Sequence, residues 1–339
     1  MSISYTVQRS SRATRIAMSI GIIALIVLLL APYWAGRGDL RMLVEIFYYL
    51  ALAQMWSLLA GYVGLVSVGQ QAFVGLGGYM MFAFSAKVGI PPLLALPLAG
   101  VFTAIIAVPT AMIAFRLKGA YFAIGTWVIA EVFRLTFAQI STLGGGSGMS
   151  LPAGIVKGIA SSRAGREHLV YWVALGIALG SILMVFFLLR SRWGLAMTAI
   201  RDSEPASESL GVETYVTKFL IYVAAAGMTG LIGGLIFLQK LRISPDAAFS
   251  VQDWTALVIF IVVIGGIGSI EGPIIGVVIF FVLREIAADW GSWYLIILGS
   301  LAVTTMLFAP KGIWGLITDR WDIHLFPVGR RLIIKRDET

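Results

Sequence analysis

The side chains that most often do chemistry in proteins are scarce in this sequence. It contains no cysteine and two histidines, His168 and His324, and no motif places a carboxylate beside either of them. Thiolate chemistry, disulfides and cysteine-based metal sites are therefore excluded. We interpret both histidines as solvated residues of a loop or a tail. The pattern G-x-x-x-x-G-K-[ST] is also absent, so the chain does not hydrolyse ATP through a phosphate-binding loop of that kind.

Four charged residues, Glu45, Glu131, Arg134 and Glu271, lie within apolar stretches. They do not form the carboxylate relay that a proton-coupled carrier needs inside a bilayer. Glu131 and Arg134 are three positions apart, so on a helix they can form an ion pair, and a role in substrate entry is the alternative. Glu271 is expected near the inner surface, as an interfacial group or a helix-start residue rather than a proton relay. An integral-membrane enzyme would need His, Asp or Cys clustered at membrane depth, so we do not expect an enzyme.

The composition indicates a membrane protein. Of 339 residues, 59% are hydrophobic and 12% are charged, whereas a soluble domain has about 25% charged residues. Many apolar stretches approach the roughly 20 residues that cross a bilayer as a helix. The net charge of +8 is typical of Lys and Arg collected on the cytoplasmic side. No basic run is interleaved with aromatic residues, so nucleic-acid binding is not expected.

The apolar stretches predict an all-α polytopic protein of about ten transmembrane helices, some of them short or broken. The predicted spans are 16–35, 41–60, 65–86, 93–115, 121–140, 169–189, 217–239, 253–267, 271–285 and 292–309. Residues 1–15 and 310–339 are expected to be cytoplasmic tails around a permease domain at 16–309. Basic residues place the 190–216 loop inside. The loop at 141–168 is predicted outside, although its Lys157, Arg163 and Arg166 depart from that rule.

Two glycine-rich segments carry polar groups into the predicted membrane region. In Gly61–Tyr79, small residues surround Ser67, Gln70 and Gln71. Polar groups at that depth must be satisfied by protein or by water in a cavity, which favours a partly unwound, pathway-lining segment. A tight helix crossing between small residues is the alternative. Residues 264–273 contain four glycines and a proline, which predicts a break between two short helices.

The 190–216 loop predicts two short helices. Apolar residues from Trp193 to Ile200 give an amphipathic helix, a turn passes through Asp202–Pro205, and a second short helix ends near Gly211. Mixed charge beside apolar anchors favours docking of a soluble partner. A helix lying in lipid headgroups is the alternative, but the acidic residues disfavour strong attachment to anionic lipid.

Five segments, in this order, resemble the permease family of branched-chain amino acid ABC importers, on the LivM-like side. They are GYVGLVSVGQQAFVGLGGY, LKGAYFAIGTWVIAEVFRL, WGLAMTAIRDSEPASESLGV, ISPDAAFSVQDWTALVIFIVVIGGIGSIEGPIIG and APKGIWGLI. The resemblance covers roughly residues 41–316. The resemblance implies a type II-importer-like bundle in the bacterial inner membrane that forms half of the translocation pathway by alternating access.

The resemblance also implies partners and sites. A homologous, LivH-like permease subunit, two cytoplasmic ATPase subunits that use ATP and Mg, and a periplasmic substrate-binding protein would complete the importer, while this chain would bind no cofactor or metal. The candidate pathway residues are Ser67, Gln70, Gln71, Phe73, Gly266, Gly268 and Ser269. The candidate ATPase-coupling residues are Trp193, Ile200, Arg201, Asp202, Glu208 and Gly211. A permease for urea, amides or another small solute, or an ATP-independent secondary transporter, remains the alternative.

Overall fold

A computed structural model describes residues 3–8, 12–160, 162–287, 291, 293–321, 325–326, 328 and 331–336. Within these residues the chain is almost entirely helical, and seven helical segments are long and apolar enough to cross a membrane. Large apolar side chains are exposed on the outside of the bundle, for example Leu94, Trp127 and Phe308. Exposed apolar surface of this extent suits contact with lipid. The chain is therefore an all-α polytopic membrane protein.

The first part of the chain forms five long helices. Pro92 begins the fourth helix, where the missing N–H of proline leaves no helical hydrogen bond unmade. Gly119, with a φ of +57°, precedes the fifth helix. A π-helical turn at Leu58–Val63 continues the second helix, and another at Phe84–Val88 continues the third. The five helices are α1 (Arg12–Trp34), α2 (Arg37–Ser57), α3 (Gln70–Ala83), α4 (Pro92–Ala114) and α5 (Ala120–Gln139).

The connection predicted as a loop at 141–168 contains regular structure. It has 3-10 turns at Ser141–Leu143 and Gly145–Ser147, then strand β2 (Met149–Ser150) and helix α6 (Ala153–Ile159). Helix α7 (Arg163–Arg190) starts before the predicted span. His168 therefore lies half-buried in a helix, and its prediction as a solvated loop residue is wrong. His324 lies outside the described residues.

The 190–216 loop folds as the sequence predicts, into two short helices. Helix α8 follows α7 after one residue, and α9 begins just before Pro205, which suits the first turn of a helix. A long helix and a short strand that pairs with β2 come next. These elements are α8 (Arg192–Asp202), α9 (Glu204–Ser209), α10 (Thr214–Lys240) and β3 (Arg242–Ile243).

The last part of the chain contains the predicted break between two short helices. A π-helical turn at Gln252–Ala256 leads into the first of these helices. The elements are α11 (Pro245–Ala248), α12 (Leu257–Gly265), α13 (Glu271–Ile286), α14 (Trp293–Phe308), α15 (Gly312–Trp321) and strand β4 (Arg331–Arg336). Strand β1 (Ile3–Gln8) pairs with β4 in antiparallel register, which joins the two ends of the chain.

The centre of the bundle is formed by α2, α3, α4 and α10. Helix α10 packs against α3 and α4 through glycines. A Cβ atom placed on Gly77 would lie 1.8 Å from the carbonyl oxygen of Gly230, and one on Gly233 would lie 2.1 Å from that of Val74. Backbone contact of this kind is the tight crossing that small residues permit. The second half of α2 is buried on all sides.

Candidate functional site

The first helix break covers residues 64–69, between the π-helical turn after α2 and the start of α3. Gly64 ends the turn with a φ of +78°, which favours glycine. The indole Nε1 of Trp56 donates to the carbonyl oxygen of Ser67 at 2.8 Å, and the Ser67 hydroxyl accepts from the N–H of Gly69 at 3.2 Å. Protein groups thus satisfy part of the unwound backbone, as membrane depth requires. The expected partial unwinding is confirmed.

The second break covers residues 266–270, between α12 and α13. Gly266 and Gly268 have φ values of +138° and +77°, so both occupy backbone conformations that other residues rarely adopt. The Ser269 hydroxyl donates to the carbonyl oxygen of Gly266 at 3.1 Å and accepts from the N–H of Gly272 at 3.0 Å. One side chain therefore closes the turn and caps the next helix.

Glu271 is the first residue of α13, as its interpretation as a helix-start residue predicts. A carboxylate at this position is favoured by the partial positive charge of the helix start. Its Oε1 atom also accepts the backbone N–H groups of Leu325 and Phe326, at 3.1 Å and 3.0 Å. The side chain is buried and joins the second break to the C-terminal segment.

The π-helical turn beside the first break touches the second break and one side chain of α8. A Cβ atom on Gly61 would lie 2.5 Å from the backbone nitrogen of Gly268, so the two backbones are in direct contact. Arg201 donates from Nη1 to the carbonyl oxygen of Gly61 at 3.1 Å, and a Cβ atom on Gly268 would lie 3.6 Å from the same nitrogen. Asp202 accepts from Arg201 Nε and Nη2 at 3.0 Å and 2.9 Å, which orients the guanidinium. We call this group the Arg201 junction.

The Arg201 junction gives its arginine a role within the chain. The sequence predicts Arg201 and Asp202 as ATPase-coupling residues, which stays a prediction, and the guanidinium also contacts the chain's own backbone. Its side chain is 39% exposed. Arg201 therefore links α8 to both helix breaks. Its bond to Gly61 joins residues 140 positions apart, and no local sequence pattern predicts it.

The apolar side of α8 is divided between the bundle and the outside. Ile200 is 4% exposed and packs inside the chain, while Trp193 is half-buried. Leu195 is 71% exposed and Leu210, just after α9, is 84% exposed. The surface that a partner could contact is therefore formed by Leu195 and Leu210 rather than by Ile200. Leu210 was missed by the sequence reasoning, although it is the one large apolar residue between Glu204 and Gly211.

The α8–α9 pair is anchored to the start of α10. Thr214 donates from its hydroxyl to Glu208 at 2.7 Å, and the Lys218 ammonium contacts the Glu204 carboxylate at 2.5 Å. Gly211, with a φ of +82°, makes the tight turn between the two elements. Glu208 thus contacts its own chain, and Gly211 lets the pair fold back on α10.

Polar side chains form a buried layer on α2, α3 and the π-helical turn before α12. Gln70 donates from Nε2 to the carbonyl oxygen of Leu52 at 3.0 Å. The Thr255 hydroxyl donates to Gln71 Oε1. Phe73 contacts Tyr222 edge to face, with ring centroids 5.7 Å apart. These contacts hold α3 against α2 and α10 at membrane depth.

The candidate pathway residues Ser67, Gln70, Gln71 and Phe73 are all buried within this chain. The cavity lined by Ser67, Gln70 and Phe73 has a volume of about 10 Å³, which is room for about one water molecule. Among the described residues, Gln70 Oε1 and Gln71 Nε2 have no hydrogen-bond partner. In this conformation the residues form a closed polar layer, and Gly268 and Ser269 of the second break are half-buried beside α8.

The predicted ion pair of Glu131 and Arg134 is confirmed and has a third member. Arg134 Nη2 lies 2.6 Å from Glu131 Oε1, and Nη1 lies 2.6 Å from the Asp246 carboxylate. Asp246 comes from α11, 112 residues later. The triad ties α5 to the segment after α10, which supports the structural interpretation of the pair over a role in substrate entry.

These features define a class: a helical membrane protein in which an exposed helix pair is bonded to two broken helices. Among the described residues, no group of His, Cys, Asp or Glu could hold a metal ion. The family model for the permease component of branched-chain amino acid transport systems matches residues 40–309. The chain belongs to this family of membrane permeases. Its members are transport proteins, so the expectation that the chain is not an enzyme is confirmed.

Curated relatives agree with the family. The high-affinity branched-chain amino acid transport system permease protein LivM of Escherichia coli K12 is 28% identical, over 86% of this chain and 74% of that protein. A probable branched-chain amino acid transport permease protein LivM of Methanocaldococcus jannaschii is 25% identical, over 79% of this chain and 81% of its own length. No solved structure matches the chain.

Proposed function

We propose that this chain forms one half of the translocation pathway of an ATP-driven importer for branched-chain or related amino acids. The other half is a homologous, LivH-like permease subunit. Two cytoplasmic ATPase subunits bind ATP and Mg, and a periplasmic binding protein delivers the solute. This chain binds no cofactor and makes or breaks no covalent bond. Its relatives are named for branched-chain amino acid transport, which supports the substrate class.

The proposed topology has ten crossings of the bacterial inner membrane, in a type II-importer-like bundle with both termini in the cytoplasm. The crossings are α1, α2, α3, α4, α5, α7, α10, α12, α13 and α14. Pairing of β1 with β4 supports an even number, because it brings the two ends of the chain to one side. The exposed pair α8–α9 lies on that cytoplasmic side, where Lys and Arg are favoured.

The observation that carries the proposal is the Arg201 junction. An exposed helix can transmit movement only if it is bonded to the part that must move. Arg201 contacts the backbone beside one helix break, and that backbone contacts the other break. Closure of the ATPases would move α8 and rearrange both breaks together, switching the pathway between its two sides by alternating access.

Reconstitution of the importer tests this function. Proteoliposomes that contain the chain, its partner permease and both ATPases, with binding protein added, are expected to take up labelled leucine only with ATP. Vanadate should abolish that uptake. Uptake by this chain alone, unaffected by vanadate, would instead identify an ATP-independent transporter. Import of urea or an amide in place of leucine, isoleucine and valine would still identify an ATP-driven importer, but it would refute the proposed amino acid substrate.

A further inference from the structure

A cleft lies at the end of the bundle opposite α8. It is formed where α2 and α7 begin and where α10 ends. Helix α7 has 28 residues and leads directly into α8 at its other end, so the cleft and α8 are separated by about 42 Å along that helix. This is more than the thickness of a hydrocarbon core. We call this space the far cleft.

The far cleft has the size and lining of a small-molecule site. Its volume is about 350 Å³, near the lower end of the range of about 300–1,000 Å³ for ligand pockets. One wall is aliphatic and contains Leu40, Val44, Val170, Leu238 and Leu241. The other lining residues are the neutral Gln239 and the charged Arg41, Glu45, Arg163, Arg166, Glu167 and Lys240.

The carboxylates of the far cleft are already engaged. Glu167 is shared by Arg41 at 2.7 Å, Arg163 at 3.6 Å and Arg37 at 3.8 Å. Glu45 pairs with Arg284 at 2.8 Å. Both acids therefore have arginine partners, although Glu167 Oε2 accepts no hydrogen bond among the described residues. The four basic and two acidic residues of the lining leave the cleft a net positive charge.

Two cations of the far cleft, Arg166 and Lys240, form no close ion pair among the described residues. The ammonium of Lys240 lies 4.8 Å from the centroid of the Trp254 ring and interacts with Asp253 and Glu45 only at longer range. The starts of α2 and α7 add partial positive charge at the same place. An anionic group entering the cleft would supply the missing partner.

We propose that the far cleft binds the transported amino acid on the side of the bundle opposite the ATPases. This inference rests on the proposed function. The solute carboxylate binds Arg166 and Lys240, and its branched side chain packs on the aliphatic wall. Glu45 or Glu167 accepts from the ammonium group. The site also accounts for Arg163 and Arg166, two basic residues on the side where the positive-inside rule disfavours them.

An anionic lipid headgroup is the competing ligand. A phosphate would meet Arg166 and Lys240 equally well, but it carries no N–H donor for Glu167 Oε2, which has no hydrogen-bond partner among the described residues. A zwitterion matches both signs of charge and the aliphatic wall together. The lining therefore favours an aliphatic amino acid over a phospholipid.

Equilibrium binding to the full purified chain tests the site without ATPases. Labelled leucine is expected to bind saturably at millimolar concentration in neutral detergent. Leucinamide, which lacks the carboxylate, and isovalerate, which lacks the ammonium, should each compete about tenfold less well than leucine or worse. This comparison uses the unaltered protein, so it does not depend on the folding of any variant. Equal competition by leucine and leucinamide would overturn the proposal.

Variants locate the site within the chain. Arg166→Gln and Lys240→Gln should each weaken leucine binding about tenfold, and Arg166→Lys should retain more affinity than Arg166→Gln. Lys157→Gln, on exposed α6, removes the same charge outside the cleft and should leave binding unchanged. Unaltered binding in both cleft variants, or equal loss in the Lys157 control, would refute the assignment.

Two further measurements separate the alternatives. If phosphatidylglycerol protects Arg166 from a guanidinium-modifying reagent and leucine does not, the cleft is a lipid site and the proposal fails. ATP-driven leucine uptake by the reconstituted importer is measured in parallel. Leucine uptake with no leucine binding to this chain would overturn only the assignment of the far cleft as a leucine site. Urea or amide uptake without leucine uptake would overturn the proposed substrate as well.

Discussion

Replacing Arg201 with methionine should separate transmission of movement from docking of the ATPases. Methionine keeps most of the apolar stem of arginine but removes the donors to Gly61 and Asp202. A hydrogen bond from a charged group contributes about 1.5–3 kcal/mol. Because the arginine side chain is 39% exposed, solvent screening reduces the loss to about 1 kcal/mol. A free-energy change of about 1.4 kcal/mol corresponds to a tenfold change in a rate constant. We therefore expect leucine uptake per ATP hydrolysed to fall about fivefold.

The assay compares coupling with complex formation. ATPase co-purification with Arg201→Met should match the unaltered chain, because the guanidinium lies on the chain's own backbone. Arg192→Met is the matched control: it removes an exposed arginine of the same helix, whose guanidinium lies near the Trp193 ring, and should change the coupling ratio little. Loss of co-purification in Arg201→Met, or equal coupling in both variants, would refute the transmission role.

Four other changes test the structure at separate places. Leu210→Asp should abolish ATPase co-purification without lowering the chain's thermal stability, because that side chain is 84% exposed; retained binding would move the docking surface elsewhere. Gly77→Ala should lower the free energy of unfolding by about 1–3 kcal/mol through overpacking, whereas Gly176→Ala, with open space around it, should not; equal unfolding temperatures would contradict the packing. Gly268→Ala should lower the free energy of unfolding by about 1–2 kcal/mol, because alanine is strained at the φ of +77°, and it should reduce leucine uptake. Asp246→Asn should lower the free energy of unfolding by less than about 1 kcal/mol, since the Asp246 side chain is 80% exposed.

Local chemistry was enough to predict the breaks and the short helices. The glycines and proline of 264–273 disfavour a continuous helix whatever surrounds them, and α12 ends at Gly265. The apolar periodicity from Trp193 to Ile200 likewise predicts α8 without knowledge of the bundle. These features depend on backbone conformations and spacings that are present in a window of a few residues.

The start of α7 was predicted about six residues too late for a different reason. The predicted span is drawn from the apolar stretch alone. The charged residues Arg163, Arg166 and Glu167 lower the hydropathy before this stretch, so the predicted span begins at 169. In the structure Glu167 pairs with Arg41 from α2, 126 residues earlier. The partner that makes these charges compatible with the helix is distant in sequence, so hydropathy alone could not find it.

The same limit applies to the functional contacts. The bond of Arg201 to Gly61 and the third member of the Arg134 triad, Asp246, join elements more than a hundred residues apart. Sequence identifies the residue types as unusual, but only the folded chain determines which atoms they meet. The prediction that Arg201 couples α8 to a partner follows from its place on an amphipathic helix, whereas its contact with the Gly61 backbone is found only in the folded chain.

The joint between α7 and α8 connects the two ends of the molecule. Ser191 caps α8 by accepting the N–H of Trp193 at 3.1 Å. A Cβ atom on Gly194 would lie 2.2 Å from the carbonyl oxygen of Leu189, so the two helices meet without space between their backbones. Because such a joint leaves little room to bend, a displacement of α8 must also displace α7. Helix α7 begins at the far cleft, so the movement that rearranges the Arg201 junction would also change the distance between Arg166 on α7 and Lys240 on α10.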